Sequence, residues 1–336
     1  MLRLSLSARL LIAGLILGAA ALVLYVFPSE SYIFLPNRAH AVAPLVEVEG
    51  GSDPEDGGGV YYVDVLVRKA TLLERLWPGL RDGATVVPAE EVRPEGVDDS
   101  ERRREELEEM EMSQRVAAAV ALRELGRDVV ARPIGARIEF VDPDAPAAGK
   151  LRPGDVVVAV DGDAVSGPSG LRAGIREAGV ERELTLRVQR GEKHLEIAVR
   201  PERGPEGVPM LGVIVSQAAD IELPVDVEID TGGVGGPSAG LAFALDLLEE
   251  LGRDVDHGRR IAVTGSIELD GSVGPVGGIK QKTIGVERAD IEVFLVPAGD
   301  NAAEARRHAD GIRIVPVTSF QQALRTLATL APTAQD

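Results

Sequence analysis

An apolar stretch without charges, Leu10 to Phe27, follows Arg3 and Arg9 at the start of the chain. A helix needs about 18 residues to cross a bilayer, and this stretch is just long enough. The small residues 19–21 would suit a cleaved signal peptide, but the apolar stretch continues beyond them. We therefore predict one uncleaved membrane span in residues 1–27. Because both arginines precede it, the positive-inside rule places the N-terminus in the cytoplasm and the rest of the chain outside the cell membrane.

Residues 28–128 combine alternating and helical patterns. Apolar and polar residues alternate in 45–48 and in 61–67, and a glycine-rich turn sequence separates the two segments. This pattern predicts a hairpin with a long loop. Residues 101–126 have the composition of a helix with one apolar side. The acidic run 105–111 near its start is predicted to be a solvated face.

A compact β-rich module is predicted for residues 129–201, where strand patterns alternate with short turns. The module resembles a bacterial PDZ domain through four segments, which are Val141–Gly149, Leu151–Asp155, Val160–Gly162 and Arg190–Gly191. The resemblance implies a groove beside a helix near Ser169–Ala178 that binds an extended peptide as an added strand. The family's carboxylate-binding loop has no match before Gly135, so recognition of a free C-terminus stays open. A spacer without a binding role is the alternative.

Strand and helix patterns alternate in residues 205–330. The glycine-rich segment 231–240 leads into a helix predicted for 241–251, and the acidic residues among 246–250 are predicted to face solvent. Ser238 then lies at the N-terminus of this helix. Unpaired backbone N–H groups and the positive end of the helix dipole at such a place can stabilise an oxyanion, which forms when a hydroxyl attacks a carbonyl group.

Composition narrows the chemistry that this segment can perform. The net charge of −18 disfavours binding to nucleic acid. The chain has no cysteine, which excludes thiol catalysis, disulfides and cysteine-ligated metals. Lysine is rare among the basic residues, yet Lys280 and Lys282 lie two positions apart in one short segment. Since lysine can lose its proton when buried and arginine cannot, this segment is a candidate for acid–base chemistry.

Nucleotide and metal sites are not predicted. The chain has no Gly-Lys-Ser or Gly-Lys-Thr sequence, and residues 232–240 do not match a dinucleotide-binding motif. The histidines at 40, 194, 257 and 308 form no His-Glu-x-x-His motif. Neither a zinc site nor a Ser-His-Asp triad is therefore expected, and no cofactor is expected.

A lysine amine can serve as the base for a serine nucleophile when burial lowers its pKa. Three segments, Gly236–Gly240, Ile261–Ile267 and Gly271–Lys282, give this idea a family context. In order and spacing they resemble the proteolytic domain of Lon-type proteases. The resemblance extends over about residues 205–330.

This resemblance implies that Ser238 is the nucleophile and Lys282 the general base of a Ser–Lys dyad, with Lys280 as a flanking residue. Thr264 matches a threonine that hydrogen-bonds near the amine in the family, although a threonine that simply ends a strand is equally compatible. Many Lon proteases have an acidic residue three positions before the serine, but Gly235 stands there in this chain. A third, acidic member is therefore not expected. The supporting residues around the nucleophile are Gly236, Pro237 and Ala239.

Together these parts resemble the membrane-anchored PDZ-plus-Lon-type serine proteases of bacteria. The predicted fold class is α+β and multidomain, with an anchor (1–27), a strand-rich region with a charged helix (28–128), a PDZ-like domain (129–201) and a Lon-type α/β domain (205–330). No ATPase module is recognised, so we expect an ATP-independent endopeptidase that cleaves unfolded or flexible polypeptides. The alternative is a non-catalytic PDZ scaffold or chaperone. Lon-type domains often form rings, which leaves room for a homo-oligomer.

Overall fold

The computed structural model describes residues 5–52, 58–92, 99–204 and 207–330. Its N-terminal elements are α1 (Leu6–Val26), β1 (Pro28–Pro36), β2 (His40–Ala41), β3 (Val46–Val48), β4 (Gly59–Tyr62), β5 (Val65–Thr71), α2 (Leu72–Leu76), β6 (Thr85–Pro88), α3 (Ala89–Val92) and α4 (Asp99–Glu124). Two 3₁₀ turns, Ala43–Leu45 and Pro78–Leu80, lie among them.

The remaining elements follow in two groups. The first comprises β7 (Val130–Val141), β8 (Val156–Val160), β9 (Asp163–Ala164), α5 (Pro168–Ala178), β10 (Leu184–Arg190), β11 (Lys193–Val199), β12 (Glu202–Arg203), β13 (Pro209–Met210) and β14 (Val213–Glu222). The second comprises β15 (Val227–Ile229), α6 (Gly240–Glu250), β16 (Arg260–Val263), β17 (Ser266–Ile267), β18 (Val273–Gly274), α7 (Ile279–Glu287), β19 (Val293–Pro297), α8 (Asp300–His308), β20 (Arg313–Val317) and α9 (Phe320–Thr329).

A five-stranded sheet in the order β2-β4-β16-β19-β20 forms the centre of the C-terminal domain. The strands β4, β16, β19 and β20 are parallel, and β2 is antiparallel to β4. Successive side chains of a strand point to opposite faces. Ile261 and Val263 therefore pack in the hydrophobic cluster of α6, whereas Ala262 packs in the cluster of α7 and α8. Helices cover both faces of this sheet, which confirms the predicted α/β character.

Residues 28–128 supply strands to the sheets of the C-terminal domain. β4 lies beside β16 in the central sheet, and β3 pairs with β15. The predicted hairpin of 45–48 and 61–67 is therefore wrong, because each strand buries its apolar residues against the C-terminal domain instead of against the other strand. The alternating segment is also divided between β4 and β5, and β5 pairs with β1.

The β-rich module has a sheet in the order β11-β10-β8-β7-β14, with α5 packed against it. Strand β14 lies at one edge and pairs with β7 over its whole length, from Val213 to Glu222. The first residues of β14 contact the core of the module, while Ala219 and Ile221 belong to the core of the C-terminal domain. One strand is thus shared by both domains.

Helix α6 is buried on every side. The prediction that its acidic residues face solvent is wrong, since Asp246, Glu249 and Glu250 are at most 6% exposed. Helix α4 packs along α6, and the Glu249 carboxylate accepts hydrogen bonds from the backbone N–H groups of Val255 (2.6 Å) and Asp256 (2.7 Å). A polar stripe indicates a solvated face only when nothing packs on that face.

Helix α1 covers most of the apolar stretch at the N-terminus, and several of its large side chains, such as Leu11 and Leu17, are exposed. Across the described residues, no helix combines the length and the apolar character that crossing a membrane requires. The predicted transmembrane helix therefore has no support from the structure.

Gly285 offers a test of the packing between α7 and the N-terminal region. A Cβ atom at this position would lie 2.0 Å from the backbone oxygen of Asn37. We expect Gly285→Ala to destabilise the protein by roughly 1–3 kcal/mol, because the helix and the segment at Asn37 must separate. Gly170 in α5 is the matched control, since a Cβ there meets only ordinary contacts at 3.7 Å or more. Alanine is the better helix former, so Gly170→Ala should be neutral or stabilising. Chemical denaturation of both variants measures the difference, and equal stabilities would contradict it.

Candidate active site

Ser238 is half-buried and lies two residues before the first residue of α6. The predicted position at a helix N-terminus is therefore confirmed. Gly236 has a positive φ of 85°, which a residue with a side chain rarely adopts, so the chain can turn sharply before the serine. Ala239, the N-cap residue, is buried, and its carbonyl oxygen accepts a hydrogen bond from Phe243 within the first turn.

Helix α4 holds the loop that carries Ser238. The Glu106 carbonyl accepts a hydrogen bond from the N–H of Gly236 (2.8 Å), and the Ser113 hydroxyl donates to the Pro237 carbonyl (3.1 Å). A Cβ at Gly235 would lie 2.7 Å from the Cβ of Glu106. Because Gly235 has no side chain, α4 can pack closely against this loop. The acidic segment at the start of α4 is therefore in part a packing surface. The sequence pattern had predicted only a solvated face there.

Lys282 lies on α7 and is 3% exposed. Its Nζ donates a hydrogen bond to Oγ1 of Thr264 (3.0 Å), and the Thr264 hydroxyl donates to the carbonyl oxygen of Ser238 (3.1 Å). The N–H of Gly265 donates to the same carbonyl oxygen (2.9 Å). Thr264 itself is fully buried. The structure therefore brings Ser238, Thr264 and Lys282 together at the carboxyl end of β16.

Burial lowers the pKa of Lys282 to about 7, because the charged amine loses its hydration. The negative charge of Asp64 opposes this shift. Asp64 follows β4, and Asn37 donates two hydrogen bonds to its carboxylate oxygens, at 3.0 and 3.1 Å. His40 Nε2 lies 3.5 Å from the same group. An acidic partner of the lysine thus comes from the N-terminal region. In the sequence, Asp64 is recognisable only as a single acidic residue at the end of an apolar strand.

Lys280 has a different environment from Lys282. Its Nζ donates to the carbonyl oxygen of Ala84 (3.3 Å), and the neighbouring Gln281 donates to the carbonyl of Gly83 (3.0 Å) and to the hydroxyl of Thr85 (2.8 Å). These contacts join α7 to the segment before β6. Lys280 therefore has a structural contact outside the group formed by Ser238, Thr264 and Lys282, which we call the Ser238 cluster.

One group of carboxylates in the described part of the chain has the spacing of a metal site. Ligand atoms of Glu249, Asp254 and Asp256 lie within 4.8 Å of one another. The Glu249 carboxylate already accepts two backbone N–H groups of the turn after α6, at 2.6 and 2.7 Å. These acidic residues therefore have a structural role in holding that turn.

A groove of about 420 Å³ lies between α5 and the edge strand β14. Its apolar lining includes Leu171, Ile175, Val213, Val215, Pro275 and Val276. The predicted groove helix near Ser169–Ala178 is thus in place. The strand beside it comes from beyond residue 201, and it follows Leu211 and Gly212, where Gly212 has a positive φ of 71°. The chain segment that precedes the groove strand is therefore residues 211–212 and not the segment before Gly135.

Two protein-family models match the chain. The family described as "Lon protease (S16) C-terminal proteolytic domain" matches residues 222–328, and the PDZ domain family matches residues 109–200. Both matches agree with the resemblances found in the sequence.

Among curated proteins, a Lon protease of Chloroflexus aggregans is 34% identical over 119 residues, which cover 33% of this chain and 14% of that protein. Lon protease 1 of Sorangium cellulosum is 36% identical over 135 residues (33% and 16%), and Lon protease 2 of Bacillus subtilis is 30% identical over 115 residues (34% and 20%). The chain thus spans at most a fifth of the length of these three relatives.

Among solved structures, the PDZ domain of an SdrC-like protein from Listeria monocytogenes is 23% identical, with a TM-score of 0.23, and the match covers 24% of this chain and 87% of that domain. The chain is therefore similar to the C-terminal proteolytic domains of Lon proteases (S16) over residues 222–328 and to PDZ domains over residues 109–200.

Proposed function

We propose that this protein is a serine endopeptidase in which Ser238 is the nucleophile and Lys282 the general base. The observation that supports this most is the buried amine of Lys282, with a pKa near 7 and a hydrogen bond to the threonine that holds the Ser238 backbone. A fully protonated surface lysine could not accept a proton at neutral pH, but lowering the pKa to about 7 leaves part of this amine neutral there.

The reaction proceeds in two halves. Neutral Lys282 accepts the proton of the Ser238 hydroxyl while Oγ attacks the carbonyl carbon of the peptide bond, and the carbonyl oxygen becomes an oxyanion. The lysine then gives that proton to the departing amine nitrogen, which leaves an ester on Ser238. In the second half Lys282 takes a proton from water, the resulting hydroxide attacks the ester, and the serine regains its proton. Asp64 stabilises the protonated lysine during both halves.

The oxyanion is stabilised by N–H groups at the start of α6. The amides of Gly240 and Leu241 already donate to Pro237 (3.3 Å) and Gly265 (3.0 Å). We assign the oxyanion donors to the amides of Ser238 and Ala239, which are nearest to the attacking hydroxyl along the chain. The sequence alone predicted oxyanion donors anywhere at the N-terminus of this helix, and this assignment reduces them to two amides.

The substrates that we propose are unfolded or flexible polypeptides. This chain has no Gly-Lys-Ser or Gly-Lys-Thr sequence for a P-loop, so it has no motor of that type to unfold a substrate, and cleavage is independent of ATP. The groove beside β14 binds an extended segment of the substrate as an additional strand. A scaffold without catalysis would use the same groove, and the Ser238→Ala variant separates the two functions.

Replacement of the base tests the dyad. Arginine keeps its charge, so Lys282→Arg should lower kcat by at least about 1000-fold, as expected when the proton acceptor is lost. Lys280→Arg is the matched control and should retain activity, since its contact with Ala84 needs only a donor. Hydrolysis of a fluorogenic peptide, with circular dichroism to verify folding, measures both variants alongside Ser238→Ala. Near-normal turnover by a folded Lys282→Arg protein would remove Lys282 from the mechanism.

The pH profile gives a second test. Since burial lowers the pKa of Lys282 to about 7, the amine is protonated below this pH and neutral above it. The value of kcat/KM should rise about tenfold per pH unit below pH 7 and become constant above it. In Asp64→Asn, the charge that favours the protonated amine is absent, so the rising limb should move to lower pH. A limb that stays in place would show that Asp64 does not act on the base.

Attachment to the cell membrane is part of the proposal and rests on the sequence of residues 10–27 and the two arginines before it. We expect the protein in the membrane fraction, with its C-terminal domain outside the cell. Protease added to intact cells should then digest this domain. Digestion only after cell lysis would show that the C-terminal domain lies inside the cell. Release of the protein by a salt wash would exclude the membrane anchor.

A further inference from the structure

Glu268 connects the two domains at the helix that forms one wall of the groove. Its side chain is 4% exposed. The carboxylate accepts hydrogen bonds from the backbone N–H of Ser169 (2.9 Å) and from the Ser169 hydroxyl (2.8 Å), and it forms an ion pair with Arg172. Ser169 is the second residue of α5, and Arg172 lies one turn later in the same helix. The N-cap residue of α5 is Gly167, which has no side chain to cap the helix. A residue of the proteolytic domain therefore provides this function.

The segment around Glu268 connects Thr264 to Lys282 along the chain. β17 begins two residues after Thr264, Glu268 follows β17, and β18 continues through residues 275–277 into α7, which carries Lys282. We call residues 266–274 the linking hairpin; its strands are β17 and β18. Residues 275–277 line the groove together with α5 and β14. The groove is thus formed partly by the chain that connects Thr264 to Lys282.

Residues 275–277 are themselves held in place. The side chain of Asn301 accepts a hydrogen bond from the N–H of Val276 (2.8 Å) and donates one to its carbonyl oxygen (2.9 Å). This wall of the groove is therefore fixed to α8, at the N-terminus of that helix. Helix α5, which also lines the groove, has hydrogen bonds and an ion pair to Glu268.

Strand β14 attaches the PDZ domain along one edge of its sheet, where Ala219 and Ile221 pack in the core of the C-terminal domain and the strand contacts α4. The Glu268 contact adds a second attachment at α5, the helix that lines the groove. The Glu268 contact is buried and has three donors. A further ion pair between the PDZ domain and α4, Arg137 with Glu108 at 3.3 Å, has side chains that are 32% and 54% exposed. Exposed pairs of this kind contribute little.

We propose that Glu268 is a positioning residue that holds the peptide groove at one distance and angle from Ser238 and Lys282. A polypeptide bound in the groove then enters the catalytic cluster at a defined distance from the bound segment. This inference rests on the proposed peptidase function for its catalytic consequence, but its structural part does not depend on catalysis.

A distance measurement tests the structural part. Because the chain has no native cysteine, spin labels at Glu177→Cys on α5 and Arg307→Cys on α8 are specific. Both positions are exposed. Double electron–electron resonance should give one narrow distance distribution in the labelled parent. Glu268→Ala should broaden it, Glu268→Gln should be intermediate because an acceptor for Ser169 remains, and Arg137→Ala should resemble the parent. A narrow distribution in Glu268→Ala, or a broad one in the parent, would overturn the proposal.

Kinetics test the catalytic consequence. Carboxymethylated α-lactalbumin, an unfolded protein, can occupy the groove and the catalytic cluster together, whereas a fluorogenic tetrapeptide cannot. In Glu268→Ala, kcat/KM for the protein should fall about tenfold more than for the tetrapeptide, since the effective concentration of the tethered segment is lost. Arg137→Ala should leave this ratio unchanged. Equal losses for both substrates would overturn the positioning role. Failure of the parent to cleave either substrate would refute the proposed function, while the distance measurement would still decide whether Glu268 orients the groove.

Discussion

The removal of Lys282 from water is the constraint on which the rest of the site depends. A charged amine in an apolar interior is unfavourable, so the folded protein favours the neutral form that a base requires. This burial needs cover from several parts of the chain. Thr264 accepts the amine hydrogen bond, α7 lies against the central sheet, and the negative charge that acts on the amine comes from Asp64, which follows β4 and is far from β16 in sequence.

The N-terminal region is therefore part of the C-terminal domain in structural terms. β4 enlarges the central sheet, and α4 binds the loop of Ser238 through Glu106 and Ser113. The matched family model begins at residue 222, yet the residues that hold the Ser238 loop begin far upstream of it. The contacts to the Ser238 loop come from α4 and the negative charge that acts on Lys282 comes from Asp64, and both precede β7 in the chain.

The sequence was informative where chemistry depends on local spacing. The glycine-rich turn before a helix and the second lysine of its segment indicated Ser238 and Lys282, and both lie at one end of the sheet, joined through Thr264. The sequence did not predict contacts between strands or helices that are far apart along the chain. The alternation in 61–67 does not reveal that β4 lies beside β16, and the charges of Glu249 and Glu250 do not reveal that both residues are buried. Asp64 could not be assigned because its proximity to Lys282 follows only from that parallel pairing.

The shared strand β14 has a consequence for how the chain unfolds. Its ladder with β7 runs from Val213 paired with Val141 in the PDZ domain to Glu222 paired with Val130 beside α4. Melting of the PDZ sheet would expose the strand edge that also packs in the core of the proteolytic domain. The two domains are therefore coupled in their unfolding, and cleavage of the chain near residue 201 would divide one sheet rather than release two independent folding units.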